Sequence, residues 1–204
     1  MSFVPSNVRP MKERDLFLMS DASLRDVIDM LDVDQFTLPA PADWSRKSSP
    51  TLRDILAAHA FDEAWVPDVV SGKSKEQVGD RWSGDLLGDD PIGNYDEFNE
   101  AATDAVMRDD LDPAAIVHFS YGDYPLAEGL VHLSVYRAFQ AWSIAHLVGL
   151  EFSLPDAVVD GLNESVIPHL DEWRSMGVFP PEIPAPAGAD AETVLLCKVG
   201  YWSA

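Results

Sequence analysis

Residues 125–150 decide the fold, and they read PLAEGLVHLSVYRAFQAWSIAHLVGL. Pro125 is typical of a helix start and Gly149 of a helix end, so the stretch predicts one long helix near residues 126–148. Its apolar residues lie on nearly all sides, and such a helix is usually central to a bundle. We therefore expect an all-α fold, a four-helix bundle in which other helices surround this one.

Three more helices are predicted over residues 11–31, 51–71 and 95–108, where apolar residues recur at spacings of three and four. Thr51 and Asp54 have the spacing of a capping box at the start of the second of these. Shorter helices are predicted over residues 155–176, interrupted near Pro168, and over residues 191–199. They would form an extra helical segment at the C-terminal side of the bundle.

Only one run favours a strand. Ile116–Phe119 has β-like composition, and the residues after it, Tyr121–Pro125, resemble a turn. We therefore expect at most a short β element near residues 116–119. Helical periodicity dominates the rest of the chain, so residues 1–204 are predicted to form a single domain.

Composition excludes several classes of partner. The chain has 204 residues, 47% of them hydrophobic, and its 14 Lys and Arg against 35 Asp and Glu give a net charge of -21. Such a charge repels phosphate backbones and anionic lipid, so neither nucleic acid nor membrane is an expected partner. The single cysteine and the absence of a recognisable signal peptide favour a cytoplasmic location.

Five polar residues at helical spacing are the candidate site. The signatures of phosphate-binding loops, serine nucleophiles and zinc peptidases are absent, which leaves His59, Glu63, His132, Tyr136 and Gln140. His59 and Glu63 are four residues apart, so both could face one small volume, with the other three opposite them. Bundle interiors do build ligand sites in this way. The alternative is that these are hydrogen-bonded core residues and a half-exposed polar stripe.

Three motifs resemble a known family. They are VGDRWSGDLLGDDP at 78–91, VHFSYGDYP at 117–125 and AWSIAHLVG at 141–149. In this order they are similar to the DinB-like superfamily, in the branch close to the N-terminal domain of mycothiol-dependent maleylpyruvate isomerase. The resemblance implies a four-helix bundle, commonly a homodimer, that holds zinc or nickel. It also implies thiol transfer or isomerisation with a low-molecular-weight thiol as the activity.

At the positions where the resemblance implies metal ligands, this sequence has residues that differ from the family pattern. Carried over without a gap, they fall on Ala58, Tyr136 and Gln140. An alanine has no donor, and a phenol and an amide bind zinc far more weakly than imidazole and carboxylate. The sequence therefore predicts no tightly bound divalent metal, unless His59 replaces the missing ligand together with Glu63 or His132. It points to no other cofactor.

Two functions follow from the sequence. The first is a bundle that has lost the metal and binds a small ligand in its central pocket through His59, Tyr136 and Gln140. The alternative is a metal-dependent thiol transferase or isomerase. The sequence assigns no catalytic residue, and it leaves open whether the protein is an enzyme.

Overall fold

The computed structural model describes residues 11–202 and confirms an all-α fold with one small sheet. The helices are α1 (Lys12–Asp29), α2 (Leu52–Val70), the four-residue α3 (Lys75–Val78), α4 (Pro91–Val106), α5 (Leu126–Val148), α6 (Asp156–Ser165), α7 (Leu170–Ser175) and α8 (Ala191–Val199), and the strands are β1 (Ile116–Phe119) and β2 (Gly122–Pro125). Within residues 11–202, no helix combines the length and apolar character needed to cross a bilayer.

The bundle is built on α1 and α5. Helix α1 packs along α5 and also contacts α4 and α6, while α2 packs along α4. The apolar face of α1 supplies Phe17, Leu24 and Ile28, all fully buried. Helices α2 and α5 approach each other through polar side chains, and this places the polar groups of interest at the centre of the bundle.

Side-chain caps set where two of the helices begin. The capping box of Thr51 and Asp54 is confirmed at the start of α2. Helix α4, predicted to begin near residue 95, begins instead at Pro91. The carboxylate of Asp90 accepts a hydrogen bond from the backbone N–H of Gly93 (3.2 Å), and proline at the first helical position needs no donor partner.

The predicted turn after β1 is mostly a second strand. β2 pairs antiparallel with β1, with Ile116 opposite Pro125 and Phe119 opposite Gly122. The hairpin packs on α5 at Gly129, where a Cβ would lie only 2.4 Å from Phe119 Cε2. Glycine at this position therefore allows the hairpin to approach the long helix closely.

The C-terminal segment folds back onto α5. The predicted interruption near Pro168 is confirmed as a 3₁₀ turn, Ile167–His169, between α6 and α7, and the final helix has the predicted bounds. The backbone N–H of Ile183 donates to the carbonyl of Cys197 (2.9 Å), and Arg174 donates to the carbonyl of Lys198. These bonds tie the proline-rich loop and α7 to the final helix, α8.

Candidate functional site: a buried ion network beside an aromatic cavity

A fully buried arginine connects three helices at the centre of the bundle. Arg137 of α5 donates from Nε to Asp21 Oδ1 of α1 (2.7 Å), and its Nη2 lies 2.8 Å from Glu63 Oε2 of α2. The other oxygen of Asp21 accepts from Asn99 Nδ2 (2.8 Å) and Thr103 Oγ1 (3.2 Å) of α4. The network therefore joins all four long helices.

The two carboxylates of this network are held differently. Asp21 accepts three hydrogen bonds, whereas the contact of Glu63 with Arg137 lacks hydrogen-bond geometry, and its other oxygen is 3.4 Å from the Tyr95 hydroxyl. Burial raises the pKa of Glu63, the Arg137 charge opposes this, and the Asp21 charge reinforces it. One cation cannot neutralise two buried carboxylates, so Glu63 is the member that takes up a proton.

Beside this network lies a large cavity of about 1490 Å³. Its walls come from α2, the β-hairpin, α5 and the segment from α6 to Tyr201. Phe61 and Tyr121 line it while remaining 41% and 56% exposed, so the cavity opens to solvent. A volume of this size exceeds that of most small-molecule sites, which span roughly 300–1,000 Å³.

Aromatic rings run continuously along one wall of the cavity. Successive centroids lie between 4.7 and 6.0 Å apart from the hairpin, across α5, to the C-terminal segment. In order the rings are those of Phe119, Tyr121, Tyr124, His132, Trp173, Phe179, Phe139 and Tyr201. We call this set the aromatic wall. It offers flat apolar faces that favour stacking.

Three residues that line the cavity have a buried nitrogen without a hydrogen-bond partner among the described residues. They are Trp65 Nε1, His132 Nδ1 and Gln140 Nε2. The indole and the amide are donors, so each leaves a buried N–H unpaired. Burial lowers the pKa of His132, so its ring is neutral at neutral pH. Unpaired buried polar groups are rare in native proteins and call for an explanation such as a ligand or a water molecule.

His59 lies behind the cavity wall rather than in it. Its ring is fully buried and stacks on Tyr136, with centroids 4.3 Å apart. Neither ring nitrogen has a hydrogen-bond partner in the described part of the chain, and burial, with a smaller contribution from Arg137, lowers the pKa of His59 to about 3. His59 is therefore neutral, and its ring packs against the Tyr136 ring without lining the cavity.

The structure separates the five residues that the sequence singles out. His132, Tyr136 and Gln140 line the cavity, whereas Glu63 contacts Arg137 and His59 contacts Tyr136. The ligand position carried over to α2 is Ala58, which is exposed and does not reach α5. The next residue, His59, is the buried one and stacks on Tyr136.

Sequence reasoning did not single out Arg137, Asp21 or Asp62. Arg137 lies in the middle of a helix that is apolar on nearly all sides, so it is expected to be buried, and a buried arginine must be paired with a carboxylate. This position in the sequence is the signal that could have predicted the ion network. Asp62 is flanked on α2 by the rings of Phe61 and Trp65, which lie 5.9 Å apart. Such flanking predicts a partly buried carboxylate.

The residues present do not fit the metal that the resemblance implies. Between residues 11 and 202, no group of three or more His, Cys, Asp or Glu side chains is arranged to hold an ion. At the positions that the resemblance implies, Ala58 has no donor, and the imidazole of the next residue, His59, is stacked on the Tyr136 phenol. No step of a mechanism is therefore assigned to a metal.

Comparison with known proteins gives no assignment, because no family model, curated protein or solved structure matches this chain. The geometry of the cavity is therefore what points to a function.

Proposed function

We propose that this protein binds a small, largely aromatic molecule in the cavity between α2, the hairpin, α5 and the C-terminal segment, without a metal. The observation that carries the proposal is the coincidence of the aromatic wall with unpaired donors on Trp65 and Gln140. The wall supplies stacking for a ring, and the donors call for an acceptor oxygen on the same ligand.

The cost of the unpaired donors supports this proposal. A buried polar group without a partner destabilises a protein by about 1–3 kcal/mol. A ligand oxygen that accepts from Gln140 or Trp65 would offset this cost on binding. A ligand that satisfies these groups would therefore stabilise the protein when it binds.

The test uses acetophenone, an aromatic ketone, as the probe and the six tryptophan indole N–H signals as the readout. Trp65 of α2 lines the cavity, whereas Trp142 of α5 does not and instead stacks on His146, with ring centroids 5.0 Å apart. In nitrogen–proton correlation spectra we expect a saturable shift of the Trp65 signal and none for Trp142. Trp142 is thus an internal control for non-specific effects.

A variant extends the test to the amide. Gln140→Leu keeps the side-chain size and removes the unpaired donor, so we expect it to weaken acetophenone binding while the free energy of unfolding holds or rises. Equal shifts of all indole signals, or no saturable shift up to about 10 mM probe, would overturn the proposed function.

A further inference from the structure

One partly buried carboxylate in the cavity has no partner among residues 11–202, whereas the other lining carboxylates are exposed. Asp62 of α2 lines the cavity and is only partly exposed. It forms neither a hydrogen bond nor an ion pair with any residue that the structure describes. Most other interior carboxylates, such as Asp21, Glu63 and Asp68, are paired with a cation, which makes Asp62 an exception.

Aromatic residues line the cavity together with this carboxylate. The rings of Phe61 and Trp65 lie on either side of it along α2. The phenols of Tyr121 and Tyr136 have raised pKa values, first because of burial and second because of the nearby Asp62 charge. These two tyrosines place the hairpin and α5 on the far side of the carboxylate.

The charges that line the cavity favour a cation. Four carboxylates, on Asp43, Asp62, Glu128 and Glu172, face one Lys or Arg among the described lining residues, the exposed Lys75. His118 is held by Asp123 at 2.8 Å, and Arg137 is engaged by Asp21 and Glu63. No basic side chain of residues 11–202 is therefore within ion-pair distance of Asp62.

We propose that the ligand carries an organic ammonium group, protonated or quaternary, which pairs with Asp62 and is covered by the rings of Trp65, Tyr121 and Tyr136. The inference rests on the proposed function and specifies its ligand class. Aromatic faces attract cations, and they do so most strongly where the cation is desolvated beside a counter-ion. Burial raises the pKa of Asp62 to about 6, although the more distant Arg137 charge acts in the opposite direction. The carboxylate is therefore ionised at neutral pH, and no ion pair with residues 11–202 neutralises it.

A matched pair of probes tests the charge alone. Benzyltrimethylammonium carries the cation, and neopentylbenzene is its uncharged carbon isostere of the same shape. At about pH 7.5 we expect the cation to bind roughly tenfold more tightly than the isostere, with both shifting the Trp65 indole signal. In Asp62→Asn we expect the preference to vanish and the affinity for the isostere to stay within about twofold.

Two measurements keep the result interpretable. Glu97→Gln removes one exposed carboxylate of α4 that does not line the cavity, so it should retain the preference for the cation. Asp62→Asn removes an unpaired, mostly buried charge, so its melting temperature should hold or rise, which separates lost binding from unfolding.

Each outcome decides between the two proposals. If acetophenone binds and the cation binds no more tightly than its isostere, the ammonium class is wrong and the cavity remains a ligand site. If the cation preference persists in Asp62→Asn, the assignment of the counter-ion is wrong. If no probe shifts Trp65, the proposed function falls and the inference falls with it.

Discussion

The two carboxylates on Arg137 should respond very differently to loss of charge. Asp21→Asn replaces one oxygen by an NH₂ group, which must then face one of the three donors that Asp21 now accepts from. It also leaves Arg137 with the weaker Glu63 contact alone. Disrupting a buried ion pair costs about 3–5 kcal/mol, a large part of a typical total of about 5–15 kcal/mol.

Glu63→Gln should cost less than about 1 kcal/mol, because Glu63 is the carboxylate that takes up the proton and Gln imitates its neutral form. Urea unfolding of both variants, followed by far-UV circular dichroism at neutral pH, measures the difference. The pKa of Glu63 is raised above its ordinary 4.5, so the stability that its proton supplies is complete below pH 4.5 and is lost as pH rises through the folded-state pKa. The free energy of unfolding of Glu63→Gln should therefore increase relative to that of the wild type as pH rises. An equal loss in both variants would refute this assignment of the proton.

Four further predictions concern other parts of the molecule. Because the pKa of His59 falls from 6.5 to about 3 on folding, the free energy of unfolding of the wild type should decline as pH drops below 6.5, by about 2 kcal/mol at about pH 5. In acid titrations of unfolding, His59→Phe should abolish that decline. The same pH dependence in the wild type and the variant would contradict this. Elemental analysis of the wild type after zinc and nickel supplementation should find substoichiometric metal. The double variant Tyr136→Asp, Gln140→His, which keeps the native His59, should bind zinc. Stoichiometric metal in the wild type that is lost in His59→Ala would be evidence against this reasoning. Gly129→Ala should cost about 1–3 kcal/mol in urea unfolding because its methyl group would meet Phe119, and an unchanged midpoint would count against the tight packing of the hairpin. Light scattering should give about twice the 22.4 kDa of one chain if the homodimer that the resemblance implies forms, and a value near 22.4 kDa would exclude it.

The helices could be predicted from sequence because their information is local. Periodicity and caps define α5 and α8, whose observed bounds equal the predicted ones. The start of α4 was placed too late because its first turn, from Pro91, carries no apolar stripe and only the Asp90 cap marks it. Strand β2 was missed because its residues are those of a turn and only pairing with β1 makes them a strand.

The site was only partly predictable, because spacing shows which residues share a face and not what that face meets. His132, Tyr136 and Gln140 lie on the cavity, as their common stripe suggested. Glu63, which shares a face with His59, instead meets Arg137, a pairing set by the rotation of α2 against α5. That rotation depends on packing across the whole bundle.

The aromatic wall has a consequence for the order of events during synthesis. The ion network of Arg137 needs only residues up to α5, whereas Trp173, Phe179 and Tyr201 complete the wall from a segment that leaves the ribosome after α5. The nascent bundle can thus form its central ion network while the C-terminal wall of its cavity is still absent. A ligand would meet the complete aromatic wall only after α7 and α8 have docked, so its binding would depend on the docking of that segment.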